Sequence, residues 1–568
     1  MRKRLTSFLL TIAILMTFGL GGGAIAEEKL PDITFTMFVP DQNFKSAPPE
    51  APVMQQVYDL TGVRIEHIIP PAEPLERMNI MLATDDLPDL IRFDDPTMMK
   101  QFIDAGKLLP LNDLLEAHAP DVMNVNWSEF ANRIQDKDGN FYYLPDMWGG
   151  GYIRGGIEAA KIETDKALNV RTGMFEDIGF DKMPKTIDEY KALLDQVREV
   201  YPDMLPVALA LAPGNQGYLK ELIEVAGGIY GLEESDQLVR SDGKLIYFNQ
   251  SPEIKKFFAF LNQLHIEGYL DPESPVLSRE TLKQKCVAGK VWSYFGPGWE
   301  INSEVIAYEQ SNDSLEQMVY VYPKADESVE QVTYARTPLN LYPAGVAITT
   351  KCADPERFMQ FYNYANTEEG RLNLLGTVNW DFTGDNTAEA TEGYNWVVRR
   401  DLEVIPGKPV VQMSAWTGEM WGSDENWWWN WGVEGLYDFT YQFGNIPDGK
   451  YDIIGTGDVG MWWNENTTRI NNAMGWTGTT YWKKMGEMFI DTAEFAQLQL
   501  DPSGNEYANK LAVQTVWERM LPRAIMADSV EEFETIWAAM SDEFENEGLN
   551  DYLSKCNELY NERMSIWF

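Results

Sequence analysis

Histidine and cysteine are scarce in this chain, which has 568 residues but only three of each. His67, His118 and His265 stand far apart, and no two of them have the spacing of zinc ligands. The cysteines form no CxxC motif and allow at most one internal disulfide. We expect them to be mostly buried, as small apolar residues, and leave one disulfide as an alternative. A zinc enzyme and a thiol enzyme are both disfavoured.

Basic residues and phosphate-binding motifs are also lacking. The chain has 46 Lys and Arg against 88 Asp and Glu, a formal net charge of −42. The negative electrostatic field of such a protein repels nucleic acid and anionic membranes. No Walker loop or basic patch is present, and no GxGxxG follows a predicted strand. We therefore expect no nucleic-acid partner and no cofactor.

Long apolar runs are confined to the first residues of the chain. Arg2, Lys3 and Arg4 precede an apolar run at residues 5–20, and small residues at 24–26 suit a cleavage site, so residues 1–26 are predicted to be a signal peptide. Its removal leaves 43 basic against 88 acidic residues, a net charge of −45. The first cysteine is Cys286, so no lipobox cysteine is present. We expect a periplasmic, cell-envelope or extracellular protein.

Tryptophan, in contrast, is abundant, with 19 in the chain and six within residues 415–432. Indole rings stack on the apolar faces of sugars, while carboxylates and amides bind the hydroxyls. We expect most tryptophans to be core residues. The candidates for ligand contact are those after strand ends or glycine corners and those in the tryptophan-rich segment: Trp148, Trp299, Trp380, Trp421 and Trp427.

The stretch from Ser251 to Glu300 has the features of an α/β unit that presents groups to a ligand. It opens with an amphipathic helix pattern, which Ser251 can cap and Gly268 is suited to end. After a second short helix, the run VWSYF predicts a strand that stops at a glycine-rich corner. Trp299 and Glu300 follow that corner at once, which is where α/β proteins place ligand-binding groups.

Strand and helix patterns alternate along much of the chain. Strands are predicted at residues 33–39, 63–69, 89–93, 141–144, 206–212, 245–248 and 345–350, and helices at 51–61, 75–83, 98–105, after Thr186, after Asp354 and from 508 onward. This order predicts an α/β protein with mixed sheets and helices on both faces. In such sheets, ligands bind in a cleft beyond the carboxyl ends of the strands. Asp41 and Asp94, which follow the strands predicted at 33–39 and 89–93, are therefore expected near that cleft.

Five further segments carry recognisable motifs. They are LPDLIRFDDP at 87–96, AGKLLPLNDLLEAHAPD at 105–121, DKDGNFYYLPDMW at 136–148, FEDIGFDKMPKTIDEYKALLDQV at 175–197, and GVAITTKCADPERFMQFYNYANTEEGRLNLLGTVNWDFTG at 345–384. With the stretch from Ser251 to Glu300, they resemble, in the same order, motifs of bacterial extracellular solute-binding proteins of the family 1 type. The resemblance covers residues 30–385, and the C-terminal third matches much less.

The resemblance implies a two-lobed, type II periplasmic-binding-protein-like fold with an interlobe cleft and a hinge. Lobe 1 would comprise residues 27–150 and 341–400, and lobe 2 residues 151–340, with 401–568 completing lobe 2 as a Trp-rich and helical region. The candidate ligand-binding residues are then Asp41, Asp94, Asp146, Trp148, Trp299, Glu300, Trp380, Asp381, Trp421 and Trp427.

The resemblance also implies partners and a role. The protein would be a monomer that captures a carbohydrate, expected to be an oligosaccharide, and delivers it to the transmembrane permease subunits of an ABC importer. Two alternatives stay open. One is a secreted glycan-active enzyme that uses a pair of carboxylates. With 88 acidic residues, some pair will always meet the catalytic spacing, so this signal is not specific. The other is a sugar-sensing binding protein coupled to a membrane kinase.

A calcium site is a further alternative at Asp136, Asp138 and Asn140, whose spacing resembles the start of a calcium loop. Gly139 stands too early for that loop, and its twelfth position is Met147 rather than glutamate. The sequence therefore favours a turn before the strand at 141–144.

Overall fold

The computed structural model describes most of the chain outside its first residues and its Trp-rich segment. The described residues are 31–40, 52–71, 73–123, 134–136, 138–145, 166–297, 318–330, 345–365 and 498–567, with shorter pieces at 301, 305, 332, 367, 377–378, 396–399, 410–413, 452–454, 492 and 494–496. The predicted signal peptide lies outside them.

The N-terminal part alternates strands and helices, as predicted. Its strands are β1 (Ile33–Phe38), β2 (Val63–Ile68), β3 (Leu90–Phe93) and β4 (Leu144–Pro145). Its helices are α1 (Pro52–Thr61), α2 (Pro74–Thr84), α3 (Pro96–Asp104), α4 (Asn112–His118) and α5 (Pro120–Met123).

The middle of the chain forms a second α/β unit. Its strands are β5 (Lys166–Arg171), β6 (Leu205–Val207), β7 (Glu234–Ser235), β8 (Leu238–Ser241), β9 (Lys244–Tyr247), β10 (Val291–Pro297) and β11 (Met318–Val321). Its helices are α6 (Gly173–Ile178), α7 (Ile187–Val200), α8 (Gln216–Ile229), α9 (Pro252–Ile266) and α10 (Arg279–Val287), with short 3-10 turns between them.

The rest of the chain returns to the first unit and then adds helices to the second. It comprises β12 (Gly345–Ile348), α11 (Pro355–Ala365), β13 (Thr377–Val378), β14 (Trp396–Arg399), β15 (Val410–Met413), β16 (Asp452–Ile454), α12 (Asn505–Ile525), α13 (Val530–Asn546) and α14 (Leu549–Trp567). No described helix combines the length and the apolar character that crossing a bilayer requires.

Four sheets connect these strands. The first-lobe sheet has the order β2-β1-β3-β12-β4, and the second-lobe sheet has the order β11-β5-β10-β6. Both are mixed, because β12 pairs antiparallel with β3, and β5 pairs antiparallel with β10. The remaining sheets are β13-β14-β15-β16 and β7-β8-β9. This is the mixed α/β architecture that the sequence predicts.

The buried apolar residues form two separate clusters, one in each lobe. The first-lobe core packs β1, β3 and β12 against α3 and α11, with Phe35 and Phe358 in edge contact at 5.5 Å between ring centroids. The second-lobe core packs β5 and β10 against α7, α8 and α9, and it also contains most buried residues of α12, α13 and α14. The C-terminal helices thus build the second-lobe core.

The predicted helix caps are confirmed. Ser251 Oγ accepts the N–H of Ile254 at 3.3 Å, and Gly268 follows α9 with φ of 72°. Asp354 Oδ1 accepts the N–H of Arg357 at 3.0 Å at the start of α11. Thr186 Oγ1 accepts the N–H of Glu189 at 3.2 Å, which is one half of the expected capping box.

Two predicted strands are shorter than the sequence suggests. The strand predicted at 141–144 begins only at Leu144, because Phe141 bonds elsewhere: its N–H donates to Asn112 Oδ1 at 3.0 Å, and its carbonyl accepts from Leu111 at 2.7 Å. The strand predicted at 206–212 ends at Val207. The buried residues that follow bond to loop carbonyls, such as Leu211 N to Ser274 O at 3.0 Å.

All three cysteines are described, and none forms a disulfide. Cys286 and Cys556 are buried, as expected, and Cys352 is half-buried. Burial raises the pKa of the Cys286 thiol to about 12, so it remains protonated as a small core residue.

Asp89, in the motif LPDLIRFDDP, joins three parts of the first lobe. Its Oδ2 accepts the N–H and the hydroxyl of Thr36 on β1, at 2.8 and 2.7 Å. Its Oδ1 accepts the N–H of Ala353, which is 264 residues away along the chain and precedes α11. A carboxylate that accepts several backbone and hydroxyl donors is a strong local constraint, so this motif aspartate is structural.

Replacing Asp89 with Ala should destabilise the protein by about 3 kcal/mol, because three hydrogen bonds to a charged acceptor are lost at once. The measurement is the free energy of unfolding from urea titration. Asp104→Ala is the matched control, since Asp104 forms only an exposed ion pair with Lys100 at 2.7 Å and should change stability by less than about 0.5 kcal/mol. Equal effects of the two substitutions would contradict the structural role.

Candidate functional site

The carboxyl ends of β1, β3 and β4 meet at one edge of the first-lobe sheet. Phe38 pairs with Ile91 near the ends of parallel strands, and Gly345, the first residue of β12, pairs with both Phe93 and Pro145. The chain therefore leaves the sheet at this edge after β1, β3 and β4. The predicted residues Asp41, Asp94 and Asp146 follow these three strand ends in sequence.

Asp94 is the predicted site residue that the structure describes, and it lies directly after β3. Its Oδ1 accepts a hydrogen bond from Nε of Arg92 at 3.0 Å. The Arg92 side chain is only 7% exposed, whereas that of Asp94 is 46% exposed. A guanidinium buried in the strand thus orients a carboxylate that solvent, or a ligand, can reach.

The adjacent carboxylate, Asp95, has a different role. Its Oδ1 accepts the N–H of Met98 at 2.7 Å, which caps the N-terminus of α3. Of the two neighbouring acids in this motif, Asp95 caps a helix and Asp94 lies at the cleft edge. Sequence reasoning missed Arg92, although a cation within an otherwise apolar strand (LIRF) was a signal that could have identified it.

The second-lobe sheet presents an equivalent edge. β10 ends at Pro297 opposite the first residue of β5, Lys166, and β6 runs parallel to β10, so it ends on the same side. Trp299 and Glu300 follow the end of β10 in sequence. β11 also ends at this edge, because Val321 pairs with Leu168 near the start of β5.

The chain crosses between the lobes from one of these edges to the other. One crossing runs from Pro145 at the end of β4 to Lys166 at the start of β5. A second runs back from Val321 at the end of β11 to Gly345 at the start of β12. Both crossings connect strand ends at the two edges, so the topology places the interlobe cleft between those edges.

Buried polar groups fix the direction in which β10 leaves the second lobe. Asn169 Nδ2 donates to the carbonyl of Gly296 at 2.8 Å, and the hydroxyl of Tyr218 donates to the carbonyl of Phe295 at 2.7 Å. Burial raises the pKa of Tyr218 well above its usual range, which keeps the phenol protonated as a donor. Sequence reasoning did not identify Asn169 or Tyr218.

Gly296 adds a steric constraint to the same exit. Its φ is 141°, and a Cβ at this position would lie 3.2 Å from Cε2 of Tyr218. A side chain would therefore be strained by its backbone and crowded by the tyrosine ring. The glycine of the corner is required by close packing immediately before the segment that carries Trp299.

The other predicted site residues lie outside the described part of the chain. They are Asp41, Asp146, Trp148, Trp299, Glu300, Trp380, Asp381, Trp421 and Trp427. Their role stays a prediction. The described tryptophans with assigned burial, Trp292, Trp517, Trp537 and Trp567, are all core residues, consistent with the expectation that most tryptophans are buried.

Asp136, Asp138 and Asn140 form a turn. Oδ1 of Asp136 accepts the backbone N–H groups of Asp138 and Asn140, both at 2.8 Å, and Gly139 has φ of 82°. The carboxylate is thus used within its own loop, which fits the turn that the sequence favours. Among the described residues, no group of three His, Cys, Asp or Glu side chains could hold a metal ion.

The family model for bacterial extracellular solute-binding proteins matches residues 61–372. The chain belongs to this family. The match includes β3, β4, β12, both crossings and the whole α/β part of the second lobe, and of the strands at the two cleft edges only β1 lies outside it.

A curated relative is the fructooligosaccharide ABC transporter substrate-binding protein FusA of Streptococcus pneumoniae serotype 4. It is 25% identical over 238 residues, which span 40% of this chain and 43% of that protein. The aligned stretch is therefore less than half of the relative's length.

Solved structures establish the two-lobed fold. FusA of S. pneumoniae in complex with kestose has a TM-score of 0.59 at 17% identity, covering 94% of this chain and 100% of that one. An extracellular solute-binding protein from Bifidobacterium longum subsp. infantis has a TM-score of 0.63 at 14% identity, covering 94% and 98%. At this identity the likeness concerns the fold, which is that of two-lobed solute-binding proteins.

Tyr218→Phe should lower the free energy of unfolding by about 1–3 kcal/mol, because the buried carbonyl of Phe295 loses its donor. Urea titration measures this change. Tyr201→Phe is the control, since the Tyr201 hydroxyl bonds to Asp177 at the surface. A loss for Tyr218→Phe no greater than for the control would show that the β10 exit does not depend on this bond.

Proposed function

We propose that this protein is the extracellular solute-binding component of an ABC importer and that it captures a carbohydrate, most simply an oligosaccharide, between its lobes. The observation that carries the proposal is the convergence of the two cleft edges in a chain that belongs to the solute-binding family. The named relatives support the ligand class: FusA is described as a fructooligosaccharide-binding protein, and a Bifidobacterium longum infantis relative as HMO-binding.

The cleft would bind sugar through aromatic stacking and carboxylate hydrogen bonds. Asp94 and Trp380 would serve from the first lobe, Trp299 and Glu300 from the second, and Trp148 from the first crossing. Asp94 already has the required form, an oriented and half-exposed carboxylate at the cleft edge. Asp41, Asp146, Asp381, Trp421 and Trp427 complete the proposed set.

Capture and delivery would be coupled through lobe closure. A ligand stabilises a closed arrangement only by contacting both lobes. The free energy of lobe closure therefore contributes to the measured affinity for the ligand. The closed monomer would present both lobes to the permease subunits, and the importer's ATPase would supply the energy. The protein itself would bind sugar without cleaving it.

The proposed lobe boundaries follow from this arrangement. Lobe 1 would comprise residues 27–150 and 341–400, and lobe 2 residues 151–340 and 401–568, after a signal peptide at 1–26. The location of β12 in the first-lobe sheet and of the C-terminal helices in the second-lobe core supports the division in these parts of the chain. The boundary at residue 400 lacks this support, because β14 and β15 pair across it in one sheet.

The deciding experiment titrates the purified protein with neutral and acidic oligosaccharides by calorimetry and checks each mixture for cleavage. A heat of binding that saturates with added sugar, while the sugar stays uncleaved, supports the proposal and identifies the ligand class. New reducing ends would replace it with a glycan-active enzyme. No binding across the panel would refute the carbohydrate assignment for the sugars tested.

Trp299→Ala should weaken binding of the best sugar by about tenfold or more, equivalent to roughly 1.4 kcal/mol, through loss of a stacking surface. Its melting temperature should stay close to that of the parent protein. Leu511→Ala, at an exposed position of α12 far from both edges in sequence, is the control and should bind normally. An unchanged dissociation constant in Trp299→Ala would remove Trp299 from the site.

A further inference from the structure

The last helix, α14, contributes to both hydrophobic cores. Its buried residues from Leu549 to Tyr560 belong to the second-lobe core. Its last residue, Trp567, is 8% exposed and belongs to the first-lobe core, and Ile566 packs against that same core. One rigid helix therefore has its body in one lobe and its final turn in the other.

The body of α14 is firmly attached to the second lobe. Asn557 accepts the N–H of Leu245 through Oδ1 at 2.9 Å and donates to the carbonyl of Leu245 through Nδ2 at 3.0 Å. The ring of Tyr552 meets that of Tyr247 edge-on, with 6.1 Å between centroids. These contacts join the helix to β9, so the helix moves with the second lobe.

Arg563, on the same helix, contacts both the second lobe and Trp567. Its Nη1 donates to the carbonyl of Ala496 at 2.7 Å, next to Phe495 of the second-lobe core. Its guanidinium carbon lies 5.6 Å from the centroid of the Trp567 ring. A cation held by second-lobe carbonyls thus contacts the aromatic ring inserted into the first lobe.

The space beside this contact is not close-packed. A cavity of about 480 Å³ lies between α3, the 134–143 segment and α14, and it is lined by Lys100, Ile103 and Tyr142 on one side and by Leu498 and Glu562 on the other. This space is partly open to solvent, and Ile566 and Trp567 of α14 form part of its lining, so the two lobes do not meet in one continuous packed interface here.

We propose that Arg563, Ile566 and Trp567 form an interlobe latch. Insertion of Trp567 into the first lobe stabilises the lobe arrangement described here, and any other arrangement must withdraw the indole or bend the helix end. The strength of the latch then sets the equilibrium between lobe arrangements. Its effect on ligand affinity rests on the proposed function, whereas its effect on lobe arrangement does not.

The test measures lobe separation without ligand, using pairs of spin labels and pulsed electron paramagnetic resonance. Labels are attached at Glu76→Cys on α2 and Glu280→Cys on α10, both exposed and in different lobes. The background is Cys352→Ser, since Cys286 and Cys556 are buried. Distance distributions are compared among the parent protein, Trp567→Ala, Trp567→Phe and Asn561→Ala, an exposed position of the same helix.

In Trp567→Ala, the population at the parental separation should fall relative to other separations by about tenfold, because the lost burial of an indole exceeds the energy of a tenfold change. Trp567→Phe should retain most of that population, and Asn561→Ala all of it. A lower melting temperature with an unchanged distance distribution would overturn the latch and leave Trp567 as a core residue only. If Trp567→Ala does not fold, Ile566→Ala takes its place, since it shortens the other side chain that packs against the first-lobe core, and it should shift the distribution in the same direction; a distribution equal to that of Asn561→Ala would overturn the latch.

A sugar titration of the same variants separates this inference from the proposed function. If the protein binds an oligosaccharide, its dissociation constant should change in Trp567→Ala by the factor by which the competent arrangement changes. If no sugar binds, the ligand-free distances still test the latch. A shifted distribution without sugar binding would therefore refute the carbohydrate proposal alone.

Discussion

The antiparallel insertion of β12 between β3 and β4 is the constraint on which the site depends. This strand arrives after the whole α/β part of the second lobe and begins where the neighbouring strands end. The crossing that returns from the second lobe to β12 therefore reaches the same edge of the sheet from which the first crossing leaves after β4. The proposed ligand edge and the two crossings consequently lie on the same side of the first-lobe sheet. The hydrogen bonds of Asp89 to Thr36 and Ala353 hold the two distant pieces of the lobe in register.

Within each lobe, side-chain hydrogen bonds hold the described strand ends beside the candidate site. Arg92 holds Asp94 from inside β3, while Asn169 and Tyr218 hold the end of β10 through buried hydrogen bonds. Such support reduces the ordering cost of ligand binding at these strand ends, because the groups that it holds need not be immobilised again. Beside α14, a pocket separates described parts of the two lobes. Supported strand ends and an interlobe pocket fit the proposed function, in which affinity depends on closure of the lobes.

Local signals in the sequence were sufficient for many elements. Caps such as Ser251 and Asp354 act within three residues, and the order of strands and helices in both α/β units follows from hydrophobic periodicity. The predictions were wrong where distant partners decide. Residues after Val207 are as apolar as a strand, but they bond to the loop at Ser274, and Phe141 bonds to Asn112 and Leu111 rather than to a strand.

The position of the candidate site stays a prediction, and the groups that support its described strand ends were not predicted. Asp94 could be placed from its location after an apolar strand, whereas the roles of Asn169 and Tyr218 depend on strand pairing and burial that one sequence does not reveal. The position of α14 across both cores was equally hidden, because its apolar pattern is the same whichever lobe it packs against.

The incorporation of the last three helices into the second-lobe core has a consequence for biosynthesis. Phe248 packs against Trp517 and Trp537, which lie far downstream, so an incomplete chain leaves this aromatic cluster without its partners. The first-lobe sheet likewise leaves β3 with an unpaired edge until β12 has been made. Neither lobe can reach its native form before these later segments have been made, and a chain that terminates before them would expose apolar surface and an unpaired strand edge to proteases and chaperones.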